Sequence, residues 1–165
     1  MTVLDNVVLG AHSRFASGYW ASLLGSAREK SENHALKRDA MKLLEFVGLS
    51  NESDQLAGGL PTGHQRLLEL ARVLISRPSM ILLDEPAAGL SGAEIDQLRN
   101  RFVRLRDYGL TILLVEHNQE LVMSIADRMT VLDHGEVIAD GNPSAVRAMP
   151  NVVAAYLGAD YVVAE

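Results

Sequence analysis

The chain has 165 residues, of which 48% are hydrophobic, enough apolar material for one ordinary domain with a real core. Fifteen basic against 21 acidic residues give a net charge of −6, which argues against a nucleic-acid-binding surface as the main function. There is no cysteine, so disulfides, thiolate catalysis and zinc–thiolate sites are excluded.

The N-terminus carries no basic segment followed by an apolar stretch, so no signal peptide is expected. No uninterrupted apolar run approaches ~18 residues, so no membrane span is expected either. The expectation is a soluble, intracellular chain that would meet a membrane only as a peripheral subunit.

The segment Ala11 to Ser31 is mixed, with Gly18, Gly25 and several serines, and reads as one short helix plus a loop. Asn33 to Val47 places Ala35, Leu36, Ala40, Met41, Leu43, Leu44 and Val47 at helical spacing, with Gly48 behind them as a C′ residue. Ser50 to Gly59 is polar, ends in two glycines and reads as a loop. Gly63 to Ser76 predicts a second helix with Leu67, Leu70, Ala71, Leu74 and Ile75 on one face, closed by Arg77-Pro78.

Beyond Pro78 strands and helices alternate. Met80 to Asp84 is a short apolar run between Pro78 and Pro86, the pattern of a strand buried on both faces of a parallel sheet. Ser91 opens a helix with Glu94 three residues on, a capping-box pattern, and Ile95, Leu98, Phe102 and Leu105 follow at helical spacing up to Tyr108-Gly109. Leu110 to Val115 predicts a second buried strand, ending in Glu116 and His117. Asn118 caps a predicted helix through Ala126. Met129–Leu132 and Glu136–Ala139 form a predicted hairpin around Asp133-His134-Gly135, and Asn142-Pro143 starts a last helix. The chain divides near Pro78 into a mostly helical part, residues 1–77, and an α/β part, residues 78–165.

Three features carry chemistry. Asp84 and Glu85 lie at the carboxyl end of a strand, where open α/β sheets place their ligands. Two adjacent acids at a buried strand end are costly to desolvate unless a cation or a proton needs them there. Leu60-Pro61-Thr62-Gly63-His64-Gln65-Arg66 runs straight into a helix, whose unpaired N–H groups and dipole favour an anion. His117 closes the next strand, where a histidine can equally be an ordinary residue at a helix start.

Signature loop, Asp84-Glu85-Pro86 and His117, in that order and at these spacings, resemble the second half of the ATPase domain of ABC transporters. Thr2 to Val7 is similar to the segment that follows the Q-loop in that family. Pro86-Ala87-Ala88-Gly89-Leu90 and the tail Val153-Ala154-Ala155-Tyr156-Leu157-Gly158 look most like the ATP subunits of branched-chain amino acid importers.

The resemblance implies an α/β fold. It is the C-terminal part of a RecA-like ABC nucleotide-binding domain, a helical signature subdomain followed by a partial parallel sheet. It implies that Asp84 holds Mg²⁺ through water, that Glu85 polarises the water attacking the γ-phosphate of ATP, and that His117 senses that phosphate. It implies that Pro61, Thr62, Gly63, His64 and Gln65, with Ala88, Gly89, Leu90 and Ser91 of the D-loop, meet ATP held by a second ABC ATPase subunit. Family consensus is Leu-Ser-Gly-Gly-Gln; this chain has Pro61 for the serine, Thr62 for the first glycine and His64 for the glutamine, so Thr62 is the candidate replacement hydroxyl. Ser91 stands where a D-loop aspartate is common. Transmembrane permease subunits on the cytoplasmic face of the inner membrane complete the implied assembly, and their coupling surface is expected within residues 11–51.

No Gly-x-x-x-x-Gly-Lys-Ser/Thr motif occurs in the chain, so the phosphate cradle of the family is not encoded here. The resemblance makes the corresponding strand central, between Leu110–Val115 and Met129–Leu132, and its loss is expected to expose a hydrophobic gap. Retention of Glu85 favours a truncated ATP-hydrolysing importer subunit, with amides or urea equally compatible as cargo. The alternative is a non-hydrolysing module that lends its signature motif to a partner's ATP. A DNA-repair or chromosome-organising ATPase fits poorly with the acidic balance and the lack of long heptad repeats.

Overall fold

The computed structural model describes residues 1–12 and 27–157. The described residues form two compact units, Met1–Val115 and Glu116–Glu165, taken in turn.

In the first unit, α1 (Val3–Gly10) begins at Thr2, whose Oγ1 accepts the Asp5 N–H at 3.1 Å. Val3, Val7 and Ala11 recur every fourth residue and are fully buried, so one stripe of α1 faces the core. This helix was not expected; its signal was that stripe together with the threonine cap. Gly10 permits α1 to lie close on a later helix: a Cβ there would sit 2.0 Å from the Arg72 carbonyl oxygen. The expected short helix within residues 11–31 falls largely on residues 13–26, outside the described residues; Ala27 already belongs to the next helix.

Helix α2 (Ala27–Val47) ends as its sequence predicts. Gly48 has φ +82° and donates to the Glu45 carbonyl, while Leu49 donates to Leu44 at 2.7 Å. These two bonds make a Schellman motif, sealed by Leu44 and Leu49, both fully buried. The polar segment after it folds into single 3₁₀ turns at Ser50–Glu52 and Ala57–Gly59. Helix α3 (Thr62–Leu74) buries Gly63, Leu68, Leu70, Ala71 and Leu74, and α1 and α2 pack on it. Leu67, expected on that face, is half-buried, and Leu68 is inside instead.

Strand β1 (Met80–Asp84) is followed by α4 (Gly92–Asp107) and β2 (Thr111–Val115), a parallel βαβ crossover with Met80 opposite Thr111 and Asp84 opposite Val115. Leu98, Phe102 and Leu105 of α4 are buried at the expected spacing.

The expectation that both strands are buried on both faces is not met. Ile81 is 2% exposed, but Leu82 is 72%, Leu113 49% and Val115 53% exposed. A parallel pair is covered twice only when layers lie on both sides. Among the described residues the face of Met80, Leu82, Leu113 and Val115 has no covering layer.

The second unit holds α5 (Gln119–Ile125), the antiparallel hairpin β3 (Met129–Asp133) and β4 (Glu136–Gly141), α6 (Pro143–Arg147) and α7 (Pro150–Leu157). Asn118 caps α5 by accepting the Leu121 N–H at 3.0 Å, and Asn142 caps α6 ahead of Pro143. His134 and Gly135 both have positive φ, 47° and 84°, which suits the tight hairpin turn. Val131, Ala139, Val146 and Val152 form the small core, with Met129, Ile138 and Met149 packed on it. Arg128 ion-pairs with Asp140, which also accepts from the Thr130 hydroxyl at 2.9 Å. Helix α7 was not expected; α6 is therefore not the last helix. Of the tail that carried the family resemblance, Gly158 lies outside the described residues.

Candidate functional site

The signature loop enters α3 through Leu60, which is 5% exposed, and Pro61, which caps the helix without any side-chain hydrogen bond. Pro61 has no donor to offer at this place, so the first N–H groups of α3 are left without a side-chain cap. Thr62 is the first helical residue and is exposed; Gly63 is buried. His64 is half-buried, its Nδ1 3.8 Å from Glu52 Oε1. Gln65 folds back on its own loop: its Nε2 donates to the Leu60 carbonyl at 2.9 Å and its backbone N–H to Pro61 at 3.0 Å. Glu52 was not singled out from the sequence; a lone acid in a polar loop leaves no pattern.

At the end of β1 the chain turns sharply. Glu85 has φ +45°, a left-handed conformation for a residue with a Cβ, and its N–H still reaches the Val115 carbonyl at 2.9 Å. Asp84 and Glu85 are both exposed. The expected burial of these carboxylates is therefore corrected: β1 is open on the Asp84 face, so no desolvation cost demands a cation there. Pro86 and Ala87 are buried and anchor the turn. Ala88 donates to Glu85 and Leu90 to Ala87, with Gly89 at φ +74° between them.

Ser91 caps α4 in a complete capping box. Its Oγ accepts the Glu94 N–H, and Glu94 Oε2 accepts the Ser91 N–H at 2.8 Å and the Ser91 hydroxyl at 2.6 Å. These bonds hold the Glu94 carboxyl below its ordinary range, with a smaller contribution from nearby His64.

The structure brings the two predicted loops together. A Cβ on Gly63 would lie 2.5 Å from Glu94 Oε1 and 3.1 Å from Leu90 Cδ2. Pro61–Gln65 and Ala88–Ser91 thus share one surface of the first unit. His117 belongs to the second unit; it is exposed, and its N–H donates to Glu116 Oε2 at 3.0 Å.

Among the described residues no group of three or more His, Asp or Glu could hold a metal ion. That arrangement suits Mg²⁺, which keeps water and takes one or two carboxylates plus phosphate oxygens, and excludes an all-protein cage around Asp84.

The profile described as ABC transporter matches residues 1–88. The chain belongs to the ABC transporter family. A second profile, branched-chain amino acid ATP-binding cassette transporter, matches residues 136–162. The high-affinity branched-chain amino acid transport ATP-binding protein BraF of Pseudomonas aeruginosa is 40% identical over 160 residues, covering 96% of this chain and 62% of BraF. LivG of Escherichia coli, with a description of the same kind, is 39% identical over the same shares.

Among solved structures, an ATP-binding cassette of an ABC transporter superposes with a TM-score of 0.77 at 33% identity, over 96% of this chain and 63% of that one. The ADP conformation of an ATP-binding cassette scores 0.75 at 32% identity, with equal coverage. This chain therefore spans less than two thirds of the length of these relatives. Its fold is that of part of an ABC nucleotide-binding domain, mixed α/β with a parallel sheet. Among the described residues no helix is long and apolar enough to cross a membrane.

Proposed function

We propose that this chain supplies the signature helix, the Walker B strand and the switch histidine of the ATP-hydrolysing subunit of an ABC importer for branched-chain amino acids. The observation that carries the reading is the meeting of Gly63 at the start of α3 with Leu90 and Glu94 behind β1. Signature and D-loop form one surface, as a subunit would need in order to face ATP held by a second one. The 39–40% identity to branched-chain amino acid transport ATP-binding proteins supports the cargo class.

In this reading the uncapped N–H groups of α3 point at the γ-phosphate of ATP bound across a dimer interface, with Thr62 supplying the hydroxyl that Pro61 lacks. Glu85 orients and polarises the attacking water; phosphoryl transfer depends chiefly on such positioning and on charge stabilisation. His117 donates to the γ-phosphate. Asp84 is the Mg²⁺-facing carboxylate, acting through water. Mg²⁺, when bound, neutralises charge on the phosphate oxygens. Ala88, Gly89, Leu90 and Ser91 line the same interface. The subunit sits on the cytoplasmic face of the membrane against permease subunits, and a phosphate cradle completes the site from sequence other than these 165 residues.

The test is hydrolysis by this chain with a Gly-x-x-x-x-Gly-Lys-Thr-bearing segment of the family joined ahead of Met1. Turnover that Glu85→Gln abolishes supports the reading. Nucleotide binding without turnover by the unmutated fusion supports a module that lends its signature motif and hydrolyses nothing.

A further inference from the structure

The capping box at Ser91 does more than end a loop. One oxygen of the Glu94 carboxylate, Oε2, takes both donors of Ser91, at 2.8 and 2.6 Å. The other, Oε1, is turned towards α3, where a Cβ on residue 63 would meet it at 2.5 Å. An ordinary capping box closes within its own helix and makes no demand on a neighbouring one. Here the same side chain works in two directions.

We propose that Glu94 is a positioning residue that locks the Ala88–Ser91 loop to the N-terminus of α3, and that residue 63 is glycine because the Glu94 carboxylate occupies the space of a side chain. A carboxylate at the end of a flexible stem could normally swing aside. This one is held by two short bonds to Ser91, and Leu90 Cδ2 at 3.1 Å closes the other side of the same space. A methyl group at position 63 therefore has to break the Ser91 bonds or push α3 away from α4. The groups facing Glu94 are Ser91 on its own helix and His64 on α3, and His64 in turn faces Glu52. The consequence for nucleotide contact rests on the reading given under Proposed function; the lock itself does not.

The experiment uses the ¹⁵N-labelled 165-residue chain without nucleotide, so its outcome is independent of that reading. In the wild type the Ser91 amide resonance follows the protonation of Glu94, with a midpoint below the ordinary carboxylate range. In Gly63→Ala that titration is expected to move up towards the ordinary range or vanish, as the carboxylate leaves Ser91. Stability supplies the second readout: the unfolding cost of Gly63→Ala is expected to fall at least several-fold when measured in the Glu94→Ala background. An unchanged Ser91 titration in Gly63→Ala, or an equal cost in both backgrounds, overturns the proposal. If Gly63→Ala alone does not fold, the double variant decides: a folded Gly63→Ala/Glu94→Ala chain supports the lock, and an unfolded one overturns it.

Discussion

Glu85 and Val115 are joined by a hydrogen bond of 2.9 Å that extends the β1–β2 ladder one residue past β1, even though Glu85 has already turned to φ +45°. The backbone is thus held in a strained conformation by the neighbouring strand, and the carboxylate is fixed at the strand's mouth. A left-handed residue with a side chain costs about 1–2 kcal/mol, more when it is β-branched. Glu85→Val should therefore be less stable to urea than Glu85→Gly by about 1–2 kcal/mol. Equal stability would mean that Glu85 does not hold this conformation in solution.

The same residue carries the proposed chemistry. In the fusion described above, Glu85→Gln should retain nucleotide binding and lose turnover by about 10²-fold or more, the usual contribution of a positioned base. Stopped-flow binding and steady-state hydrolysis on one preparation separate the two effects. Near-normal turnover would remove Glu85 from the catalytic role.

The one-sided burial of the parallel pair predicts opposite outcomes for adjacent residues. Ile81→Ala should cost about 2–5 kcal/mol, because Ile81 is 2% exposed and its removal leaves a cavity. Leu82→Ala should stay within about 0.5 kcal/mol, since Leu82 is 72% exposed. Comparable losses at the two positions would show that both faces are covered in solution.

Much of this fold was legible before the structure because it is set locally. Gly48 ends α2, Ser91, Asn118 and Asn142 cap their helices, and His134-Gly135 turns the hairpin, each by chemistry that reads within four residues. What failed depended on partners. Whether Leu82 is buried is decided by a layer far away in sequence, and the apolar run looks the same either way. Helix α1 escaped because eight residues offer a short stripe, and α7 because its apolar residues were read as a family tail. Of the site, the order and spacing of the three motifs were legible. The contact of Gly63 with Leu90 and Glu94 was not, being a tertiary approach across about 30 residues of chain.

In the second unit, Arg128 and the Thr130 hydroxyl hold the Asp140 carboxyl down from 3.8 to about 2. A depressed carboxylate contributes stability that is fully present above its ordinary value and is lost as pH falls through the folded one. The hairpin should accordingly weaken between pH 3.8 and about 2, and Asp140→Asn should remove that part of the acid sensitivity. Following the Thr130 and Asp140 amides by NMR across this range checks it. The pair is exposed, so added salt should shrink the effect.

Capping makes a simple stability test for the D-loop segment. Ser91→Ala removes the acceptor for the Glu94 N–H and should cost about 0.5–2 kcal/mol in urea unfolding. No measurable loss would mean that α4 does not start at this residue in solution.

The central claim is that these 165 residues bring the hydrolytic carboxylate, the signature helix and the sensing histidine to a nucleotide site whose phosphate cradle lies elsewhere. The most direct measurement is titration of a fluorescent ATP analogue with Mg²⁺ into this chain, alone and joined to a phosphate-loop segment of the family. Saturable binding in the joined protein, with none at millimolar nucleotide for the chain alone, is the predicted result. Saturable binding to the chain alone would mean that it builds its own phosphate site and would contradict the account.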